Sequence, residues 1–127
     1  MIFSLEGKTA LVTGASRGLG NALAVALAQA GADVICSGSR PGSVDATVEQ
    51  VLGIGRKCWS THADLSNPDE VDELLHQLQK ISVSIDILVN NAGTIHRSPA
   101  VDHTDEMWNN VIQTNLNSAF KLSREIG

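Results

Sequence analysis

Near the amino terminus a short apolar run, a cluster of glycines and an alanine-rich segment follow one another. Ala10–Val12 favours a β-strand, Gly14–Gly20 permits a sharp turn, and Leu19–Ala30 favours a helix that ends at Gly31. Such a turn directs the first N–H groups of the helix, and its positive dipole end, at whatever lies above the strand. This position suits an anion such as a phosphate.

The glycine spacing alone leaves two interpretations open. It is Gly-x-x-x-Gly-x-Gly, which differs from the commonest dinucleotide-binding pattern and from a P-loop. The segment is therefore either a phosphate-binding loop or a tight turn that binds nothing. The rest of the chain has to decide between them.

The remaining chain alternates strand-like and helix-like segments. Strands are predicted over Asp33–Ser37, Arg56–Ala63 and Ile85–Val89. Helices are predicted over Ser43–Leu52 with Ser43 as its cap, from Pro68 with a buried stripe of Val71, Leu74, Leu75 and Leu78, and from about Asp105 onwards. This alternation predicts a doubly wound parallel α/β sheet of about four strands. In such a sheet the loops after all four strands lie along one edge, where ligands bind.

Composition limits the class of protein. The 127 residues suit one domain, and nine basic against fourteen acidic side chains give a net charge of −5 without runs of like charge, so nucleic acid and membranes are not expected partners. No leader or spanning segment is evident, which favours a cytoplasmic protein. Cys36 and Cys58 are predicted to be core residues, and the four histidines lack metal-ligand spacing, so no metal site is expected.

Three motifs together carry a family resemblance. Thr13–Gly20, then Asp64-Leu65, then Asn90–Gly93, in this order and spacing, resemble the short-chain dehydrogenases/reductases, and the resemblance covers essentially the whole chain. It implies a Rossmann-like fold. Within the family, Phe3–Lys8 and Asn90–Pro99 are similar to the sugar-acid dehydrogenases that act on 2-deoxygluconate or on gluconate at C5.

The resemblance implies a nicotinamide dinucleotide site at the predicted edge. The implied cofactor-binding residues are Gly14, Ser16, Arg17, Gly18, Leu19, Gly20, Arg40, Asp64, Leu65, Asn90, Ala92 and Gly93. Gly14 and Gly20 are expected to let the backbone approach the pyrophosphate and to let the helix pack on the strand. Asp64 is expected to accept a hydrogen bond from the adenine amino group, to cap a turn, or to do both.

The loop after the second strand is expected to choose between NAD and NADP. A carboxylate there would bind the ribose 2′-hydroxyl of NAD, but Gly38-Ser39-Arg40 contains none. Arg40 and Arg17 permit a 2′-phosphate, although Arg40 also suits a solvated surface. Both cofactors stay open, and NADP is slightly favoured.

Catalysis is where the sequence departs from the family. The resemblance implies a Tyr with a nearby Lys, and a Ser, in hydride transfer to or from a small hydroxyl or carbonyl substrate, but the sequence contains no Tyr. Of the implied catalytic residues only Asn115 is present, and it also suits a bend in the final helix. We therefore expect the amino-terminal part of a longer enzyme that forms a dimer or tetramer. The alternative is a non-catalytic dinucleotide-binding or interaction module.

Overall fold

Strands and helices alternate along the part of the chain that the structure describes. The structure is a computed structural model and describes residues 4–92 and Asp105. Its elements are β1 (Thr9–Thr13), α1 (Gly18–Gln29), β2 (Asp33–Gly38), α2 (Asp45–Ile54), β3 (Cys58–His62), α3 (Pro68–Ile81) and β4 (Ile87–Val89). The four strands are parallel, in the order β3-β2-β1-β4. The predicted doubly wound parallel sheet is confirmed.

The sheet buries apolar side chains on both faces, as the alternation of a strand requires. Leu11 of β1 and Ile35 of β2 belong to the core cluster under α3, whereas Val12 and Cys36, one residue further on, belong to the cluster under α1 and α2. All four residues are fully buried. Two helical layers therefore cover one sheet, and the loops at its carboxyl edge remain accessible.

The central position of β1 creates a crevice at that edge. β1 pairs with β2 on one side, Val12 opposite Cys36, and with β4 on the other, Val12 opposite Val89. After β1 the chain adds β2 and β3 on one side of it, and after α3 it crosses over to add β4 on the other side. Ligands of doubly wound sheets bind outside the carboxyl ends of the strands at such a reversal.

Helix α3 begins and packs as predicted. Pro68 is its first residue, and the Asn67 side chain caps it by accepting a hydrogen bond from the N–H of Asp69 at 3.0 Å. The predicted stripe faces the sheet: three of its members are buried and the fourth is partly buried, namely Val71, Leu74, Leu78 and Leu75 respectively. The stripe supplies much of the core on that face.

Helix α2 differs from the prediction at both ends. It begins at Asp45, with Val44 as its cap residue, because the Ser43 hydroxyl instead donates to the carbonyl of Arg40 at 2.7 Å. The helix also continues past Leu52, which is exposed rather than buried, and ends where Gly55 adopts a left-handed φ of 95°. The predicted Ser43 cap was wrong, and the predicted helix range was shifted by two residues at each end.

Strand β4 is shorter than predicted because Asp86 forms hydrogen bonds with Thr9 at the start of β1. Its backbone N–H donates to the carbonyl of Thr9 at 2.9 Å, and its carboxylate accepts from the N–H of Thr9 at 3.0 Å. The one charged residue in this apolar run thus provides hydrogen-bond partners for the backbone N–H and C=O groups of Thr9, the first residue of β1. The strand itself covers only Ile87–Val89.

The outer backbone of β3, at one edge of the described sheet, is partly paired by a side chain. The Gln77 amide of α3 accepts from the N–H of His62 at 3.0 Å and donates to the carbonyl of the same residue at 2.9 Å. The last residue of the edge strand therefore has its outward N–H and C=O groups hydrogen-bonded.

The two cysteines lie side by side under α2 as free thiols. Their Sγ atoms are 3.7 Å apart; Cys36 is buried, as predicted, but Cys58 is only half-buried. The hydrogen bond between them, together with burial, raises the pKa of Cys36, and acceptance of that hydrogen bond lowers the pKa of Cys58.

Alkylation should therefore distinguish the two thiols. Because the thiolate reacts, we expect Cys58 to be alkylated first in the folded chain, with a half-maximal rate at a pH below that of an ordinary thiol. In Cys36→Ala the hydrogen-bond partner that lowers the pKa of Cys58 is lost, so this midpoint should rise. Site-resolved mass spectrometry against pH measures both effects. Faster modification of Cys36, or an unchanged midpoint in the variant, would contradict the assignment.

Candidate functional site

The loop between β1 and α1 leaves the helix amino terminus open. Gly14 and Gly18 adopt left-handed φ angles of 62° and 59°, which a glycine accepts without strain. Arg17, the cap residue, is extended and makes no side-chain capping hydrogen bond, and the first turn carries no acidic residue. Within the described residues, neither a capping side chain nor an acidic residue of the first turn competes with an anion for these N–H groups.

Gly20 allows α1 to pack directly on the loop. A methyl group at this position would overlap the carbonyl oxygen of Gly14 and lie 2.6 Å from Nδ2 of Asn91. At Gly14 a methyl group would meet the backbone of Ala92 at 3.0 Å. Only glycine fits this close approach of α1, the Gly14–Gly20 loop and the residues that follow β4. The backbone atoms of these segments form a narrow cradle above β1.

Thr13 joins the ends of β1 and β4. Its buried hydroxyl donates to the carbonyl of Val89 at 3.2 Å and accepts from the N–H groups of Asn91 and Ala92, both at 3.0 Å. The side chain of Asn91 then donates to the carbonyl of Gly14 at 3.2 Å. One threonine and one asparagine thus hold the two central loops against each other.

A cleft of about 550 Å³ opens beside these loops, at the carboxyl ends of β2 and β3. Its lining residues are Ser39, Arg40, Pro41, His62, Asp64 and Glu70. Arg40 is exposed, so its guanidinium is available to a ligand in the cleft. The size and the polar lining suit one half of a dinucleotide better than a purely apolar ligand.

Asp64 has one carboxylate oxygen engaged in a turn. Oδ1 accepts from the N–H of Ser66 at 3.0 Å and from its hydroxyl, while the N–H of Asp64 donates to Glu70 at 2.9 Å. Among residues 4–92 and Asp105, no hydrogen bond to Oδ2 is found. The turn-capping alternative is therefore present, and it uses only Oδ1 of a residue that also lines the cleft.

The structure brings most of the predicted cofactor-binding residues to one edge. The loops containing them are joined by direct bonds: the N–H of Ala15 donates to Ser37 at 3.1 Å, and the N–H of Ala63 donates to Gly38 at 2.9 Å. Ser16 is half-buried, Leu65 is buried, and Leu19 is two-thirds exposed on the solvent side of α1. Gly93 and Asn115 lie outside the described residues.

Some residues of the site escaped the sequence analysis. Thr13 and Asn91 belong to the quoted motifs but were not assigned a site role, and their hydrogen bonds make them its scaffold. His62 and Glu70 reach the cleft from the end of β3 and the first turn of α3. Only its position at the carboxyl end of a strand would have pointed to His62, and no local pattern pointed to Glu70.

Neither a metal centre nor a membrane-spanning helix is found in the described part of the chain. Residues 4–92 and Asp105 contain no group of three or more His, Cys, Asp or Glu side chains that could hold a metal ion. The helices described there are all too short or too polar to span a bilayer.

A family model agrees with this fold and this edge. The model described as short chain dehydrogenase matches residues 8–126, so the chain belongs to the short-chain dehydrogenase family. Among its relatives, the 2-dehydro-3-deoxy-D-gluconate 5-dehydrogenases of Pseudoalteromonas atlantica and Escherichia coli are 48% identical over 126 residues and 43% identical over 122 residues. The predicted resemblance to sugar-acid dehydrogenases is confirmed.

A solved structure confirms the Rossmann-like fold. The 3-oxoacyl (acyl-carrier-protein) reductase from Agrobacterium tumefaciens C58, with NADP bound, superimposes with a TM-score of 0.91 at 35% identity. The match covers 98% of this chain and 48% of the reductase. The matches to the P. atlantica and E. coli enzymes cover 98% and 96% of this chain but only 50% and 47% of the enzymes. The chain thus spans about half the length of the relatives that it matches.

Proposed function

We propose that residues 1–127 form the dinucleotide-binding domain of an NAD(P)-dependent oxidoreductase. The proposed reaction is hydride transfer between the nicotinamide and a hydroxyl or carbonyl group of a sugar acid or a similar small molecule. The observation that carries the proposal is the cradle at Gly20, where any side chain would collide with the loop. A turn that binds nothing has no need of so close an approach beside an open helix terminus.

The described residues fit such a cofactor in two places. The N–H groups of the Gly14–Gly20 loop would hold the pyrophosphate, and the cleft beside Arg40 and Asp64 would hold the adenosine. NADP is favoured over NAD because an exposed guanidinium, and no carboxylate, follows β2. By the family resemblance, Asn90 and Gly93 would frame the cofactor ribose; Gly93 lies outside the described residues.

The chemistry requires more than this sequence contains. The bound nicotinamide supplies the hydride chemistry, while this chain binds and orients the dinucleotide. The proton donor expected from the family is a Tyr, which the sequence lacks, and Asn115 would only support it. Residues beyond this sequence would supply the Tyr, Lys and Ser. A cytoplasmic homodimer or homotetramer is proposed for the complete enzyme.

The cofactor preference is tested by removing one charge. We expect NADPH to bind more tightly than NADH, and Arg40→Ala to weaken NADPH binding about tenfold while changing NADH affinity less than twofold, because only NADPH carries the 2′-phosphate. Lys57→Ala is the matched control, since Lys57 is also exposed but precedes β3, at the opposite edge of the sheet. Isothermal titration measures all four affinities.

Each result of that titration has a distinct meaning. Equal losses for Arg40→Ala and Lys57→Ala would leave only a general charge effect and remove the case for NADP. Tighter binding of NADH than NADPH by the unsubstituted chain would assign NAD instead. Absence of binding for both nucleotides by folded protein would overturn the proposed function.

The second candidate is a non-catalytic dinucleotide-binding module. It is favoured by the absence of Tyr from the sequence. Under both candidates the purified 127-residue chain should bind NADPH but show no NADP-dependent oxidation of gluconate or 2-deoxygluconate. The candidates differ for a longer protein that contains this chain, which should oxidise one of these sugar acids under the first candidate and neither under the second. Robust turnover by the 127-residue chain alone would contradict the view that the proton donor lies elsewhere.

A further inference from the structure

A buried threonine of α2 reaches into the glycine loop. Thr47 is fully buried, and its hydroxyl donates to the carbonyl of Ala15 at 2.7 Å. The same hydroxyl accepts from Nδ2 of Asn21 at 2.7 Å. Asn21 lies in the first turns of α1 and also donates to Oε1 of Gln50 at 2.7 Å. The hydroxyl thus joins α1, α2 and the loop between β1 and α1.

Ala15 is the loop residue that this contact fixes. Its carbonyl binds Thr47, while its N–H donates to the carbonyl of Ser37, at the end of β2, at 3.1 Å. Both polar backbone groups of Ala15 therefore pair outside the loop, and its side chain is fully buried. The path of the chain just after Gly14 is set by β2 and α2.

Helix α2 is equally tied to the other half of the candidate site. It follows the loop that carries Arg40, and the hydroxyl of Ser43 donates to the carbonyl of Arg40 at 2.7 Å. A methyl group on Gly38 would overlap Oγ of Ser43, so this loop lies tightly against the end of β2. The first turn of α2 therefore contacts the glycine loop through Thr47, and Ser43, just before the helix, holds the Arg40 loop.

We propose that Thr47 is a positioning residue that holds the glycine loop in register with the Arg40 loop, through its hydrogen bond to the carbonyl of Ala15. The inference rests on the proposed function for its effect on dinucleotide binding. A hydroxyl provides one donor and two acceptor positions, and here the donor goes to the loop and one acceptor goes to α1. Without the hydroxyl, the Ala15 carbonyl loses its partner in a buried setting, and the loop loses its attachment to α2.

Three variants separate positioning from general stability. Thr47→Val keeps the shape and loses the hydroxyl, and Thr47→Ser keeps the hydroxyl. Val51→Ala removes buried methyl groups from the same helix, four residues further on, and leaves the Thr47 hydroxyl in place. We expect the affinity for NADPH to fall about tenfold in Thr47→Val and to stay within twofold in the other two. The side-chain amide of Asn21, which donates to both Thr47 and Gln50, keeps Gln50 as an acceptor in each variant, so the loss of the Thr47 hydroxyl does not leave this amide without a partner.

Hydrogen exchange gives a second readout that needs no ligand. The amide of Ala15 should exchange at least tenfold faster in Thr47→Val than in Thr47→Ser or Val51→Ala, while the amides of β3 should respond to Thr47→Val and Val51→Ala alike. Equal exchange of Ala15 in Thr47→Val and Val51→Ala would overturn the inference. So would wild-type affinity for NADPH in Thr47→Val.

The two proposals fail in different ways. If the unsubstituted folded chain does not bind NADPH, the proposed function is wrong, and the exchange of Ala15 alone decides the role of Thr47. If NADPH binds but Thr47→Val matches Val51→Ala in both affinity and exchange, the function stands and the positioning role is wrong.

Discussion

Gly20→Ala is expected to abolish NADPH binding and to destabilise the chain by about 3 kcal/mol or more, since the added methyl group overlaps backbone that has no room to move. Its neighbours are the carbonyl of Gly14 and Nδ2 of Asn91, which belong to the two central loops. Relief of the overlap requires α1 to move away from β1, and this would open the cradle. Thermal unfolding with and without NADPH measures both effects.

Gly53→Ala is the matched control for this substitution. Gly53 is also a helical glycine, but a methyl group there meets no atom within 4 Å, and its φ is not left-handed. Alanine should therefore stabilise α2 by about 0.5–1 kcal/mol. Saturating NADPH should raise the Tm of the unsubstituted chain and of Gly53→Ala, but leave that of Gly20→Ala unchanged. An equal rise in all three would show that the cofactor does not use the cradle.

Thr13→Val is expected to lower the free energy of unfolding by about 3 kcal/mol, because valine keeps the shape but removes a hydroxyl that serves three backbone groups. The carbonyl of Val89 loses a donor, and the N–H groups of Asn91 and Ala92 lose their acceptor. Chemical denaturation gives the difference. Thr13→Ser, which keeps the hydroxyl, should recover most of it.

Thr61→Val provides the comparison at a second buried threonine. The Thr61 hydroxyl makes one long hydrogen bond, 3.5 Å to the carbonyl of Cys36, and the residue is as deeply placed as Thr13. Its replacement should cost about 1 kcal/mol or less. Similar losses for Thr13→Val and Thr61→Val would mean that the hydroxyl of Thr13 does not hold β4 and its loop in place.

The elements were predictable where a local signal and the tertiary packing agree. Helix α3 has Pro68 at its first position and an apolar stripe at helical spacing, and both were predicted; the Asn67 cap that the structure adds acts at the same end as Pro68. The strands of β1 and β2 are buried on both faces, so their continuous apolar runs identified them. Their parallel order then followed from the helices that connect them.

The prediction failed where a side chain had a competing partner. Ser43 is a good cap residue by type, but its hydroxyl is taken by the carbonyl of Arg40 within the preceding turn. Asp86 lies inside the predicted strand Ile85–Val89, whereas in the structure it pairs with Thr9, which is distant in sequence, and the strand begins only at Ile87. Thr47 carried no signal at all, since its partner, the carbonyl of Ala15, is thirty-two residues away.

The Gln77 contact has a consequence for how copies of this chain meet one another. Strands that add to a sheet recognise its edge by free backbone groups, whatever their own sequence. At His62 the side-chain amide already presents the donor and the acceptor that the peptide group of an added strand would bring. An incoming strand would have to displace it and would gain no hydrogen bond in exchange. Helix α3 therefore protects this end of β3 against edge-to-edge association.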